Sequence, residues 1–161
     1  IASRLPWTSW PERDFKVTSV DAETGEFEVV DRASGVLLLD AVAASCAVPI
    51  VWPPITINGR RYIDGGMRSA ANADLAQGCA RVVVLAPIDV ALRRRHRISS
   101  QLASLGSSVR SIVVSPDAAA RKAIGGNVLN PTHRVDSAKA GRAQAASAAQ
   151  AVAAIWSTSS T

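Results

Sequence analysis

The sequence predicts an α/β fold with a mostly parallel sheet and a hairpin in the first half of the chain. Two runs rich in β-branched residues, RVVVLA at residues 81–86 and SIVVS at residues 111–115, are typical of strands covered on both faces. Stretches with helical spacing separate and follow these runs, at residues 98–105, 118–124 and 132–156. Strand, helix, strand and helix in succession is the order expected of a parallel sheet with crossover connections.

The first half of the chain contains shorter elements. Residues 15–20 and 26–30 alternate apolar and polar side chains on either side of a turn-rich connection, which predicts an antiparallel, half-exposed strand pair. Residues 37–47 place alanine and leucine at helical spacing, and this helix must end before Pro49. Residues 1–13 hold two tryptophans and two prolines without periodicity, so an irregular segment that packs through its aromatic rings is expected.

A proline-rich crossing and a hairpin lead to one carboxylate. Asn58-Gly59, between the short apolar strands ITI and RRYI, is the residue pair that two-residue hairpin turns favour. The second strand ends at Asp64, and Gly65 and Gly66 follow, so the backbone there can turn sharply and approach a ligand closely. The same triplet is also common in ordinary turns. Taken alone, it leaves both roles open.

The order of these motifs resembles that of the patatin-like phospholipase family. AASCAVPIVWPP at residues 43–54 has the small-residue helix end and the proline-bracketed aromatic crossing of the family's second block, and DGG at residues 64–66 has its aspartate triplet. VTSVDAETGEF at residues 17–27 is similar to the strand pair that precedes this block. Weaker matches follow in the second half of the chain: Ser115-Pro116-Asp117, LNP at residues 129–131 and Ala140-Gly141.

The resemblance implies the architecture of an acyl hydrolase. Residues 1–156 would be the C-terminal portion of one three-layer α/β/α patatin-like domain. The hairpin would lie directly before the Asp-Gly-Gly loop, and residues 157–161 would be a frayed tail.

The resemblance also implies a chemistry and its residues. Patatin-like enzymes hydrolyse acyl esters with a serine–aspartate dyad, and Asp64 has the position of the aspartate. A carboxylate within reach of a serine can accept its proton and make the hydroxyl nucleophilic. Asp64 is therefore implied as the general base, Gly65 and Gly66 as the support of its loop, and Asn72 as a brace. Asn72 also has the residue type of a helix N-cap.

Two residues of the crossing, Ile50 and Trp52, are candidates for an acyl pocket, because the crossing abuts the Asp64 loop. Ordinary core packing is the alternative for both. The substrate expected from the resemblance is a phospholipid or another lipid ester, with its head group and acyl length left open. No cofactor or metal is expected, since no Cys/His/Asp cluster has metal-ligand spacing and no phosphate-binding glycine motif occurs.

The serine of such a dyad is missing from the sequence. None of the serines has a glycine two residues before it and two after it, so no G-x-S-x-G nucleophile turn occurs. We therefore expect the nucleophile to belong to the part of the family domain that precedes this segment, and we expect the chain to have no esterase activity by itself. The alternative is a non-catalytic or truncated α/β module, retained for binding or present as a gene fragment.

The charge of the chain is unevenly divided. Residues 1–80 contain seven Lys/Arg against ten Asp/Glu, whereas residues 81–161 contain eleven against three. The basic residues cluster only at Arg93, Arg94, Arg95 and Arg97, which suit either an anionic membrane surface or a solvated face. Nucleic acid is not expected, because no aromatic residue is interleaved with the arginines for base stacking.

Composition and cysteine usage limit the remaining possibilities for the class and location of the protein. The 161 residues are 48% hydrophobic and 19% charged, which is typical of a folded globular domain. The longest apolar stretch, residues 36–52, is interrupted by Asp40 and Pro49 and predicts no membrane span. Cys46 and Cys79 are expected to be small buried hydrophobes. With no charged-then-apolar leader at its start, the chain is expected in the cytoplasm. The oligomeric state stays open.

Overall fold

The computed structural model describes residues 3, 5–88, 91 and 93–157. The chain divides into two units, which are described separately. The first unit comprises residues 1–72 and 91–96, and the second comprises residues 73–90 and 97–161. Both contain strands, and helices accompany them, so the predicted α/β class is confirmed.

The first unit is built on a four-stranded antiparallel sheet with the order β2-β1-β4-β3. Its strands are β1 (Val17–Asp21), β2 (Phe27–Val30), β3 (Ile55–Ile57) and β4 (Arg60–Asp64). Helix α1 (Leu38–Ser45) packs against β1, β3 and β4. The predicted strand pair, small-residue helix and hairpin are therefore confirmed.

Small side chains allow α1 to approach the sheet closely. Ala41 and Ala44 are each 1% exposed, and Ala41 packs with Val17 and Val30 in the core. The β3–β4 hairpin turns at Asn58 and Gly59, whose φ angles of +50° and +80° are those of the two-residue turn that Asn-Gly favours.

The irregular N-terminal segment packs through one of its two tryptophans. Trp10 donates a hydrogen bond from Nε1 to the carbonyl of Val36 at 2.8 Å, and its ring centroid lies 6.0 Å from that of Phe15. Trp7 is largely exposed. The prediction that this segment packs by its aromatic rings is thus confirmed for Trp10 and wrong for Trp7.

Asp21 ties the end of β1 to the β3–β4 hairpin. Its carboxylate is almost completely buried and accepts hydrogen bonds from the N–H groups of Glu23 and Thr24, at 2.9 and 2.8 Å, and from Arg60 Nε at 2.9 Å. The Thr24 and Glu23 amides, followed by the charge of Arg60, hold the pKa of Asp21 below its ordinary value.

This lowered pKa makes stability dependent on acid. A carboxyl with a depressed pKa in the folded state stabilises the fold above its unfolded pKa, near 3.8, and that contribution is lost as the pH falls through the folded pKa. In urea unfolding, Asp21→Asn should be less stable than the wild type at neutral pH. The two curves should converge as the pH falls below the lowered pKa. Glu12→Gln, at an exposed site, should follow the wild type throughout. A deficit in Asp21→Asn that is the same at every pH would contradict this account.

The second unit contains a parallel strand pair. Strands β5 (Arg81–Leu85) and β6 (Arg110–Val114) pair in register, from Arg81 opposite Arg110 to Leu85 opposite Val114. The unit also contains α2 (Ile98–Ser104), α3 (Ala118–Ile124) and α4 (Arg134–Trp156), and α4 packs on α3, β5 and β6. The predicted strands and helices are all present. In the described ranges, however, parallel pairing is limited to these two strands, and the larger sheet is antiparallel.

The strands of this pair are less covered than their sequence suggests. Val82 and Val84 are buried, but Leu85 is 72% exposed, so β5 is not covered on both faces by the residues that the structure describes. A continuous run of β-branched residues shows that a strand prefers burial, but it does not say what provides the cover. The expected frayed tail at residues 157–161 lies outside the described residues except for Ser157, which caps α4.

The cysteines and the helices bear on two further sequence expectations. Cys46 and Cys79 are both exposed, contrary to the prediction of buried hydrophobes, because each lies where the chain has just left a helical turn. Among the helices of the described residues, none has the length and apolar character needed to cross a membrane.

Candidate active site

Strand pairing fixes the position of Asp64. It is the last residue of β4, and it lies directly opposite Ser19 of β1. Its backbone N–H donates a 3.1 Å hydrogen bond to the carbonyl of Ala47, at the point where the chain leaves α1 for the proline-rich crossing. The sheet and the helix end therefore hold Asp64 from two sides.

The two oxygens of the Asp64 carboxylate have different surroundings. Oδ1 accepts a 2.7 Å hydrogen bond from the N–H of Gly66 and so caps the single 3-10 turn Gly65–Met67. Oδ2 has no hydrogen bond or ion pair within the part of the chain that the structure describes. One oxygen orients the carboxylate while the other stays available to accept a proton, which is the arrangement a general base needs.

Both glycines after Asp64 lie close to other atoms, but only at Gly65 is the neighbour backbone. A Cβ on Gly65, which is buried, would lie 2.6 Å from the carbonyl oxygen of Thr18 in β1. A Cβ on Gly66 would lie 2.9 Å from Oδ1 of Asp64. The first contact involves backbone, which cannot easily move, and the second involves the end of a side chain, which can.

Asn72 connects the aspartate loop to β1. It is 7% exposed, and its Nδ2 donates to the carbonyl of Gly65 at 3.2 Å and to Oγ1 of Thr18 at 3.3 Å. Its Oδ1 accepts a 2.8 Å hydrogen bond from Arg68 Nη1. These are the contacts of a loop brace. These hydrogen bonds occupy the Asn72 side chain. In the 3-10 turn that follows, Ala73–Ala76, the N–H of Ala73 donates to Oε1 of Gln101 at 3.0 Å.

Removing this brace should destabilise the first unit. Asn72→Gly retains a residue that tolerates the positive φ of +45°, but it removes the three side-chain hydrogen bonds with Gly65, Thr18 and Arg68, and the Gly65 carbonyl keeps only the N–H of Arg68. Each lost hydrogen bond costs about 0.5–1.5 kcal/mol, and we expect a decrease of about 2 kcal/mol in the free energy of unfolding. Urea denaturation measures it. Asn58→Gly, at another positive φ but in an exposed turn, is the matched control and should change little. Equal stabilities for the two variants would contradict the bracing role.

An apolar cavity of about 460 Å³ lies at the end of α1. It is lined by Ala43, Cys46, Ala47, Trp52, Pro53, Ile55 and Ser3. Trp52 is therefore part of a pocket wall, and its assignment to an acyl pocket stays a prediction. Ile50 is not: its side chain is fully exposed, because the loop carries it away from α1. The assignment of Ile50 to a pocket is corrected accordingly.

Two side chains near Asp64 are conceivable nucleophiles. Ser19 is its cross-strand partner and is buried, but no hydrogen bond joins the two side chains in the described structure. Cys46 is exposed as a residue but also lines the apolar cavity, and partial desolvation, followed by the negative charge of Asp64, raises the pKa of its thiol. A thiol with a raised pKa holds its proton at neutral pH, so Cys46 is a poor nucleophile.

The arginine cluster is exposed. Arg93, Arg94 and Arg95 belong to the first unit, whereas Arg97 begins the part of the chain that belongs to the second. No group of His, Cys, Asp and Glu side chains among the described residues could hold a metal ion.

Sequence reasoning overlooked the contributions of Thr18 and Arg68. Thr18 packs against Gly65 and accepts from Asn72, and Arg68 contacts Asn72 and stacks 4.2 Å over the ring of Phe27. The pairing of β1 with β4 creates the Thr18 contacts. That pairing joins residues more than forty positions apart and has no local signal in the sequence.

The fold and the site together define an α/β protein with an oriented carboxylate on a glycine turn beside an apolar cavity. Residues 6–76 match the model of the family described as patatin-like phospholipase, so this part of the chain is similar to that family. The matched segment contains β1 to β4, α1, Asp64 and Asn72. No curated protein matches the chain significantly. The weaker resemblances noted in the second half of the chain lie outside the matched residues and stay predictions.

Proposed function

We propose that this protein is a lipid acyl-ester hydrolase of the patatin type, in which Asp64 acts as the general base. The observation that carries the proposal is the pair of unequal oxygens on Asp64. Oδ1 is fixed by the Gly66 amide, and Oδ2 has no partner in the described structure. The match of residues 6–76 to the patatin-like family supports the same chemistry.

In this proposal the nucleophile is a serine outside residues 1–161, carried by a G-x-S-x-G turn. Asp64 Oδ2 accepts the proton of the serine hydroxyl as its oxygen bonds to the ester carbonyl carbon. The proton then passes to the departing alcohol as the carbonyl carbon–oxygen ester bond breaks, which leaves an acyl-enzyme. Water, deprotonated by the same carboxylate, hydrolyses the acyl-enzyme and returns the serine. Backbone donors near the serine would stabilise the oxyanion of each tetrahedral intermediate.

The apolar cavity supports a lipid rather than a small polar ester. Its volume, about 460 Å³, is within the usual range for ligand sites, and alanine, tryptophan, proline and isoleucine side chains contribute to its wall. Its lining residue Ala47 accepts the backbone hydrogen bond of Asp64. An acyl chain lying there would have its ester end close to the carboxylate.

The test compares two proteins on p-nitrophenyl butyrate. The 161-residue chain alone should show no turnover that depends on Asp64. The product of the reading frame extended upstream of Ile1 should contain a G-x-S-x-G turn and should hydrolyse the ester. Asp64-dependent turnover by the chain alone would overturn the external nucleophile, and loss of that turnover in Ser19→Ala would identify the serine. An extended frame with neither the motif nor activity would make the protein a non-catalytic α/β module.

A further inference from the structure

The loop between α1 and β3 exposes apolar side chains. Residues 48–52, which we call the apolar loop, include Ile50 with a fully exposed side chain and Trp52 at 63% exposure. Val48 and Val51 are also more than one third exposed. Exposed apolar side chains that are contiguous, rather than scattered, mark a surface that is covered in use.

The backbone of the apolar loop holds Ile50 outward at an energetic cost. Ile50 has a φ of +73°, in the left-handed region that a β-branched residue rarely adopts. Two hydrogen bonds keep it there: the N–H groups of Val51 and Trp52 both donate to the Val48 carbonyl, at 3.1 and 2.9 Å. Strain of this kind persists where the surrounding structure enforces it, and it often marks functional positions.

A second, cationic surface is connected to the same part of the first unit. Arg93, Arg94 and Arg95 are exposed and form no ion pair with any residue that the structure describes. Arg95 Nε donates to Nε2 of His96 at 3.2 Å, and His96 also hydrogen-bonds the backbone of Arg68. Desolvation, followed by the charges of Arg68, Arg95 and Arg93, lowers the pKa of His96. The imidazole is therefore neutral at neutral pH, and the arginines carry the positive charge.

Short chains of hydrogen bonds connect both surfaces to the Asp64 turn. The Asp64 N–H bonds the carbonyl of Ala47, the residue before the apolar loop. On the other side, the N–H of Arg68 bonds the carbonyl of Gly65, the residue after Asp64. The apolar loop and the arginine cluster therefore both connect, through neighbouring residues, to the turn that carries Asp64.

We propose that the apolar loop and the arginines Arg93–Arg95 dock the first unit onto the surface of an anionic lipid bilayer. Tryptophan and aliphatic side chains enter the boundary between head groups and acyl chains, and the arginines meet the anionic head groups. Charge complementarity favours an anionic bilayer over an apolar protein surface, because an apolar surface would form no favourable interaction with the arginines. The inference rests on the proposed function in one respect: the hydrolysis of a lipid ester requires Asp64 to be near a lipid surface.

Binding is tested by sedimentation with vesicles of ether-linked lipids, which contain no acyl ester, so the result is independent of hydrolysis. The chain should bind vesicles of equal parts phosphatidylcholine and phosphatidylglycerol and should bind pure phosphatidylcholine vesicles much more weakly. Each basic residue near an anionic surface contributes about 1 kcal/mol, so Arg93→Gln/Arg94→Gln/Arg95→Gln should lower partitioning roughly a hundredfold. The matched control Lys122→Gln/Lys139→Gln/Arg142→Gln removes three exposed charges from α3 and α4 and should lower it less than tenfold.

The apolar loop is tested with its own pair of variants. Ile50→Ser/Trp52→Ser should lower partitioning by about tenfold or more, whereas Leu37→Ser/Trp7→Ser, at two exposed sites of the same unit, should not. Ile50→Gly separates folding from binding, because it relieves the positive φ. It should resist urea at least as well as the wild type and yet bind vesicles more weakly.

Several results would overturn the proposal. Equal binding to neutral and anionic vesicles would show that the arginines do not contribute to binding. Equal losses of vesicle binding in the two triple charge variants would show the same. Undiminished binding by Ile50→Ser/Trp52→Ser would show that something other than lipid covers the apolar loop. If the serine-containing protein hydrolysed soluble esters but did not bind vesicles, the docking surface would be refuted and the proposed function would remain.

Discussion

Asp64→Asn is expected to lower kcat/KM for ester hydrolysis by about 10²–10⁴-fold in the serine-containing protein, which is the range that a general base contributes. Asparagine cannot take the serine proton, but its Oδ1 can still accept the hydrogen bond that Gly66 donates at 2.7 Å. The turn should therefore survive while the base is lost. Initial rates on p-nitrophenyl butyrate measure the effect, and urea unfolding of the same samples should show little change.

Asp31→Asn is the matched control for this substitution. Asp31 also caps a 3-10 turn of the first unit, with its Oδ1 accepting from the N–H of Ala33 at 2.9 Å. Removing its charge should leave hydrolysis unchanged. Equal activity losses in the two variants, or activity in Asp64→Asn within a few-fold of the wild type, would exclude Asp64 as the base.

Gly65→Ala is expected to have the largest effect on stability, a decrease of about 3 kcal/mol or more in the free energy of unfolding of the first unit. The added Cβ would lie 2.6 Å from the Thr18 carbonyl oxygen and would also contact its Oγ1. Relief requires β1 and β4 to separate where Ser19 pairs with Asp64. Urea denaturation followed by circular dichroism measures the loss.

Gly66→Ala tests whether the loop excludes side chains in general or whether the backbone clash is specific to position 65. Its Cβ would lie 2.9 Å from Asp64 Oδ1, the end of a side chain that can rotate away. We expect a decrease in stability below about 1 kcal/mol together with a clear loss of ester hydrolysis, because the carboxylate is displaced. If Gly65→Ala were as stable as Gly66→Ala, the close packing of Gly65 on β1 would be wrong.

Local patterns in the sequence predicted the elements that carry Asp64. The Asn-Gly pair identified the hairpin, because both residues adopt positive φ angles there, and Pro49 marked the region where α1 ends. The four predicted helices and six predicted strands are present in the described residues, with ends shifted by one or two positions in most cases. These features depend on residues close together in the chain, so their signals are local.

Features that depend on distant contacts were not predictable in the same way. The pairing of β1 with β4 makes the larger sheet antiparallel, and no local pattern specifies it. The same pairing brings Thr18 against Gly65 and places Asp64 opposite Ser19. Ile50 was expected in a pocket because its crossing abuts the Asp64 loop, whereas the backbone of its loop turns its side chain into solvent.

The central claim, that Asp64 activates a serine, is tested most directly by the rate at which that serine reacts with a fluorophosphonate probe. The probe forms a covalent bond to an activated serine oxygen, so its labelling rate reports deprotonation without lipid binding or product release. In the serine-containing protein, Asp64→Asn should slow labelling by about 10²–10⁴-fold, and Asp31→Asn should not slow it. Labelling of Asp64→Asn at the wild-type rate would show that another group takes the proton.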